Sequence, residues 1–286
     1  MHKKIAWVTD STAQIPENLL LQHDIFVIPL GILFYDQVYA EGVDLNTTEL
    51  YDKIVHYKSI PTTSQPTIGQ FVSLYEKLKE SFDHIIAVHL SSELSGTYQT
   101  SLMAAQMVDH PIEVVDTRIL SYPLTMMIEK GIHLAQTGME PSQIADILRL
   151  EHKRFDNYIL VGNLEQLYKG GRLNGVQLFL GSILKIKPVL CIRDGGVQLF
   201  GRFRTQRRAL RTILNQLHTA KQQHVIRRIM ILQADVMEEA LQIKQTLLQS
   251  YKDIEIYIGP LSGTIGVHGG RGSLVIAWMR EDSDSK

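Results

Sequence analysis

The stretch HIIAVHLSSELSGTYQTSLMAAQMV (residues 84–108) decides how the chain is read. It opens with an apolar run rich in β-branched residues, which predicts a strand. Ser91 and Ser92 follow, then Ser95, Gly96 and Thr97, and from there apolar side chains recur at helical spacing to residue 108. A strand that opens into hydroxyls where a helix begins is the kind of turn at which open α/β sheets bind ligands. Hydroxyls and unpaired N–H groups at a helix start form a neutral site for an anion or a strongly accepting oxygen. The plainer reading is helix capping, because Ser and Thr are preferred N-caps and need no ligand. Both readings hold at once where one hydroxyl caps and its neighbour faces a cleft.

Working outward, the same alternation recurs. KIAWVTD (4–10), IFVIPLGILF (25–34) and IEVVDT (112–117) read as strands, and IGQFVSLYEKLKESF (68–82) as a helix. Two further helices are expected at about 121–137 and 141–154, broken by Gly138 and Pro141. This order predicts parallel strands with crossover helices on both faces. After YILVGN (158–163) and a helix near 174–184, KPVLCIRDGGVQLFGRF (187–203) predicts a hairpin, with glycine supplying positive φ in the Asp194-Gly195-Gly196 turn. A basic helix over about 205–220 and a strand–helix–strand unit follow, and SLVIAWM closes the pattern. The expected fold is α/β in two domains. Residues 1–155 form a doubly wound, mostly parallel sheet with hydroxyl-rich loops, and residues 156–286 a second α/β domain with the hairpin.

The 286-residue chain is 44% hydrophobic and 21% charged, with a net charge of −1. That balance gives no electrostatic footprint for bulk binding to nucleic acid or a membrane surface. A single cysteine, Cys191, leaves neither an intrachain disulfide nor a cysteine-based metal cage. The residues MHKKIAWVTD reach a polar cluster too soon for a signal peptide, and no apolar run is long enough to span a bilayer. A cytoplasmic protein without membrane insertion is the expectation.

Two more loops resemble the serine turn. Strand one ends in Asp10-Ser11-Thr12, and PTTSQPT (61–67) packs Thr62, Thr63 and Ser64 between prolines ahead of a helix. In GPLSGTIGVHGGRGS (259–273), glycines flank His268, whose ring can donate to a carboxylate; a flexible turn is the plainer alternative. LYKGGRLNG (167–175) places Lys169 and Arg172 at the end of a short helix. Arg202, Arg204, Arg207, Arg208 and Arg211 form a basic run, either a solvated helix face or a docking surface for an acidic or phosphate-bearing partner. Asp10 has no second carboxylate at metal-ligand spacing. The chain has no H-E-x-x-H, no C-x-x-C, no G-x-S-x-G and no Gly-rich nucleotide fingerprint, so no metal or cofactor is expected.

Taken together, VTDST (8–12), PTTSQPT, LSSELSGTYQTS (90–101), VVDT (114–117), KGGRL (169–173), LKIKPVL (184–190), FRT (203–205) and IGPLSGTIGVHGGRG (258–272) resemble the DegV family in family order. These are bacterial proteins that bind fatty acids and present them to a fatty acid kinase. The resemblance implies two α/β domains with a long-chain fatty acid between them, its chain buried in the second. It implies that Thr62, Ser92 and His268 hold the carboxylate, with Thr63 and Ser95 as neighbours. It also implies that Arg172 and Arg204 serve the kinase step, so that the protein is a lipid carrier supplying phospholipid synthesis and not an enzyme. Arg271 stands where the family's glycine loop usually has proline. Phe179, Leu180, Ile183 and Leu184 are candidates to line the tail. A sixteen-carbon chain offers roughly 10 kcal/mol of gross burial, while its carboxylate needs converging donors. The alternative is a serine-dependent hydrolase or acyltransferase with Ser92 as nucleophile and His268 as base, for which no third orienting group is evident.

Overall fold

The computed structural model describes residues 3–35, 37–57, 60–173 and 186–281. The chain forms two compact units. One holds the residues up to Lys153 together with Ser262–Ile265; the other holds Arg154–Leu261 and the residues from Gly266 onward.

In the first unit the described elements run β1 (Ile5–Asp10), α1 (Glu17–Gln22), β2 (Ile25–Ile28), β3 (Gly31–Phe34), β4 (Gln37–Ala40), α2 (Thr47–Tyr57), β5 (Thr62–Ser64), α3 (Ile68–Lys79), β6 (His84–His89), α4 (Thr97–Ala105), β7 (Ile112–Asp116), α5 (Tyr122–Gln136) and α6 (Pro141–Glu151). β2, β1, β6 and β7 pair in that order, all parallel. Every residue of β1 is buried, as a strand covered on both faces requires. Ala6, Val8, Ile85 and Ala87 pack with Phe71, Tyr75 and Leu78 of α3 and Ala104 of α4. Trp7 points the opposite way, and its ring lies so close to Gly131 of α5 that a Cβ there would sit 2.6 Å from it. The helices thus cover both faces, as the alternating pattern predicts.

One expectation changes. The run 25–34 is two strands in two sheets and not one, because the chain leaves the parallel sheet at Pro29 and re-pairs from Gly31. β3 joins a small antiparallel sheet of order β4-β3-β5, with Leu33 opposite Thr62 and Gly31 opposite Ser64.

The second unit's described elements are β8 (Phe155–Leu160), α7 (Leu164–Lys169), β9 (Lys187–Arg193), β10 (Gly196–Phe203), α8 (Gln206–Gln223), β11 (Arg228–Gln233), α9 (Met237–Ser250), β12 (Glu255–Pro260), α10 (Gly263–Gly269, whose residues up to Ile265 belong to the first unit) and β13 (Leu274–Met279). Their sheet runs β10-β9-β8-β13-β11-β12; only β11 and β12 pair in parallel. The hairpin turns at Asp194 and Gly195, both at positive φ, a geometry matched to strand twist. Ala209, Ile213 and Leu217 seat α8 on the core around Trp278, leaving Arg204, Arg207, Arg208 and Arg211 exposed. Cys191 is buried in β9, and burial pushes its thiol pKa up, as befits a structural residue.

A polar chain crosses the first unit's core. Asp10 Oδ2 meets His89 Nδ1 at 3.2 Å, His89 Nε2 meets Ser101 Oγ at 2.9 Å, and Ser101 Oγ meets the Tyr75 hydroxyl at 2.6 Å. All four side chains are fully buried, so this serine–histidine–aspartate line is closed to substrate and serves to lock β1, β6, α4 and α3 together. Deleting one partner strands the rest in a low-dielectric interior. We expect His89→Leu to lower unfolding free energy by about 3 kcal/mol in urea titration; a loss below about 1 kcal/mol would contradict this account.

Candidate functional site

The hydroxyl loops of the first unit are built on its strand ends. Asp10 closes β1. Its Oδ1 accepts from the Thr12 amide at 3.2 Å and the Thr12 hydroxyl at 2.5 Å, and its Oδ2 accepts from the Leu90 amide at 3.0 Å. It is therefore a structural acceptor holding two loop starts in place, and among the described residues no His, Cys, Asp and Glu group suits a metal ion.

Thr62 and Thr63 lie on β5, Thr62 exposed and Thr63 half-buried. Ser92 and Ser95 lie in the turn after β6. Gln65 joins the two segments: its amide packs over Gly96, where a Cβ would fall 2.0 Å from Gln65 Oε1, and its Nε2 donates to Thr100 Oγ1 at 2.5 Å. The threonine and serine segments are thus neighbours within one unit.

The hydroxyls differ in what they do locally. Ser95 accepts from the Thr97 amide at 3.3 Å and bonds the Thr97 hydroxyl at 2.9 Å, a local turn just ahead of α4, whose N-cap is Gly96 and carries no side-chain cap. Thr67 caps α3 in a reciprocal box with Gln70. Ser92 is exposed and is oriented by Asp116 at the end of β7. The Ser92 amide donates to Asp116 Oδ1 at 3.1 Å, its hydroxyl donates to Oδ2 at 2.5 Å, and the Arg118 amide also donates to Oδ1. The partner of the Ser92 hydroxyl here is a carboxylate and not the imidazole that a serine nucleophile uses. Asp116 belongs to the VVDT motif, but its role rests on a pairing 24 residues apart, which no local pattern reveals.

In the second unit, Arg172 and His268 come together. α7 ends at Gly170 and Gly171, the latter at φ 72°, and the Arg172 guanidinium turns back to donate to the Gly170 carbonyl at 2.5 Å. A Cβ on Gly170 would lie 2.4 Å from His268 Nδ1, so glycine is what leaves room for the ring. Burial, with the charge of Arg172 adding to it, pushes the His268 pKa down to about 4. The imidazole is therefore neutral at pH 7, able to donate from one nitrogen and accept at the other. The glycine-rich segment around it is helical, not a flexible turn. Ser262 Oγ accepts from the Ile265 amide at 3.3 Å to start α10, and Gly270 at φ 79° ends it.

Arg204 is exposed between β10 and α8, whose first turn is capped by Thr205. Arg271 is mostly exposed and pairs with Asp235 at 2.6 Å, which directs its charge to that partner. Phe179, Leu180, Ile183 and Leu184, with the expected helix near 174–184, lie outside the described residues. Among the described residues no helix is long and apolar enough to cross a membrane.

The family model described as "Uncharacterised protein, DegV family" matches residues 4–281. Among curated proteins, Protein DegV of Bacillus subtilis is 36% identical over 276 residues, spanning 96% of this chain and 98% of its own. A DegV domain-containing protein of Halalkalibacterium halodurans is 34% identical over 281 residues, or 97% and 99%. Among solved structures, the Bacillus subtilis DegV, described as a fatty acid binding protein, superposes with a TM-score of 0.89 at 35% identity, covering 98% of this chain and 100% of that one. A DegV family protein from Thermus thermophilus, described by its fatty acid binding, gives 0.88 at 30%, covering 97% and 99%.

The depressed pKa of His268 has a signed consequence. An unfolded histidine titrates near 6.5, so between that pH and about 4 the unfolded chain binds the extra proton. The stability contribution is complete above pH 6.5 and is lost as pH falls towards 4, by about 3 kcal/mol. NMR titration should place the His268 midpoint near 4, and His268→Gln should flatten this part of the stability profile. A midpoint near 6.5 would contradict the buried, neutral ring.

Proposed function

The chain belongs to the DegV family, and from that premise we propose that it binds a long-chain fatty acid and presents it to a separate fatty acid kinase. The observation that carries this reading is the likeness, over 98% of the chain, to a structure described as a fatty acid binding protein. The side chains here suit the same chemistry. Thr62, Ser92 and His268 offer hydroxyl and imidazole groups to the acid's oxygens, with Thr63 and Ser95 beside them. A head group held by neutral donors keeps its own charge within reach of a phosphoryl donor, whereas a tight arginine clamp would tie up both oxygens. The tail is taken up by apolar side chains of the second unit, each buried methylene contributing about 0.8 kcal/mol. Arg172 and Arg204 meet the new acyl phosphate or the kinase surface. The chain is a carrier, located in the cytoplasm with its kinase, and performs no chemistry itself.

Ser92 adds a constraint. Its single proton is donated to Asp116, so it donates to a bound carboxylate only by turning away from that partner, and its lone pairs alone offer an ionised carboxylate nothing. Thr62 and His268 then supply the donors that a carboxylate needs.

Organic extraction of the purified protein followed by mass spectrometry should release fatty acid at close to one molecule per chain. Protein that carries none and takes up none when supplied would overturn the reading. Thr62→Ala and Ser92→Ala should each lower retention about tenfold while unfolding normally. Retention equal to the parent in both would remove them from the head-group site.

Arg172→Ala separates carriage from transfer. Bound lipid should persist while phosphorylation by the kinase slows at least tenfold, and unchanged kinase kinetics would refute the assigned role.

A further inference from the structure

α10 has three glycines in seven residues, GTIGVHG. Each weakens the helix relative to alanine, and an isolated helix this short does not form in water. Something outside the segment must hold it. Its first turn, Gly263 and Thr264, belongs to the first unit, where it meets Glu41 at the end of β4. Glu41 is only 6% exposed. Its Oε1 accepts from the Thr264 amide at 2.8 Å, and its Oε2 accepts from the Thr264 hydroxyl at 2.8 Å and the Ser11 hydroxyl at 2.5 Å. Ser11 in turn accepts from the Leu30 amide at 3.0 Å, so the carboxylate is anchored on its other side to the entry of β3.

The seat is tight as well as polar. A Cβ on Gly263 would lie 2.9 Å from Leu50 Cδ2, 3.0 Å from Ile32 Cδ1 and 3.1 Å from Glu41 Oε1. Ile32 is opposite Thr63 on the small sheet, the same sheet that carries Thr62. A buried carboxylate at a helix start also satisfies an otherwise orphaned amide and complements the helix dipole. His268 stands four residues after Thr264, one turn along the same face.

We propose that Glu41 is a positioning residue for His268. By gripping Thr264 through both its amide and its hydroxyl, it nucleates a glycine-rich helix that would not otherwise form and so fixes where the imidazole stands. For lipid binding, this rests on the reading above that His268 meets the fatty-acid head group.

The test uses the full-length protein and has two readouts. In imidazole carbon–proton spectra, with the His268 signal assigned by its loss in His268→Gln, Glu41→Ala should move the titration midpoint from near 4 towards 6.5 as the ring hydrates. The same variant should retain palmitic acid at least tenfold less tightly. Thr264→Val keeps the amide bond and loses the hydroxyl one, so it should weaken retention a few-fold, and Thr264→Ser should restore the parent value. A folded Glu41→Ala with an unmoved His268 midpoint would overturn the proposal, as would Thr264→Ser behaving like Thr264→Val. Should Glu41→Ala fail to fold, the Thr264 pair decides. A moved midpoint with unchanged palmitate retention upholds Glu41 as the anchor and removes His268 from the head-group site. If the parent protein holds no fatty acid at all, the functional reading falls and the His268 midpoint still decides this proposal.

Discussion

Loops that leave the carboxyl edge of a sheet carry amides no strand can pair, and in this molecule carboxylates answer them. Asp10 accepts from the amides of Thr12 and Leu90, Asp116 from those of Ser92 and Arg118, and Glu41 from that of Thr264. In each case a hydroxyl of the same loop is gathered in as well, from Thr12, Ser92 or Thr264. The acids are thus the scaffold of the hydroxyl-rich surface, and their charge is spent on backbone donors before any ligand arrives. The hydroxyl-rich loops thereby present neutral groups whose positions are set by charged ones behind them.

The second unit applies the same economy differently. There the neutral group is an imidazole whose proton affinity is depressed by burial and by the nearby Arg172. The guanidinium bonds the Gly170 carbonyl, and glycine at that position lets the ring approach. Cation and imidazole therefore remain separate species at neutral pH: one permanently charged, the other a plain donor and acceptor. Under the proposed function, that division would suit a cargo that changes from a monoanion to a more highly charged acyl phosphate, because a cation acts on the second form more strongly than on the first.

Much of this was legible in the residues. The parallel core strands are continuous apolar runs, the Asp194-Gly195 turn announces its hairpin, and the separation of α5 from α6 follows from Gly138 and Pro141. What was not legible depended on distance along the chain. The run 25–34 has strand composition throughout, and only its pairing shows that Pro29 divides it between two sheets. Residues 263–269 have the composition of a loop and become a helix because a carboxylate 223 positions away holds Thr264. Asp116 likewise acts on a serine in another turn. Local propensity foresees none of these, since the deciding partner lies outside any window. The serine and threonine clusters were visible at once, but which hydroxyl caps and which is presented to solvent was set by neighbours such as Gln65 and Thr97.

The excursion of Ser262–Ile265 into the first unit bears on how the molecule is born. A ribosome adding roughly 10 residues per second would deliver Thr264 about 20 s after Glu41. Through that interval the Glu41 carboxylate lacks the two donors that Thr264 supplies. Completion of the first unit waits on residues 262–265, so a cut after Lys153 would take from the amino-terminal piece a segment that packs with it, while the carboxy-terminal piece would keep every residue of its own unit.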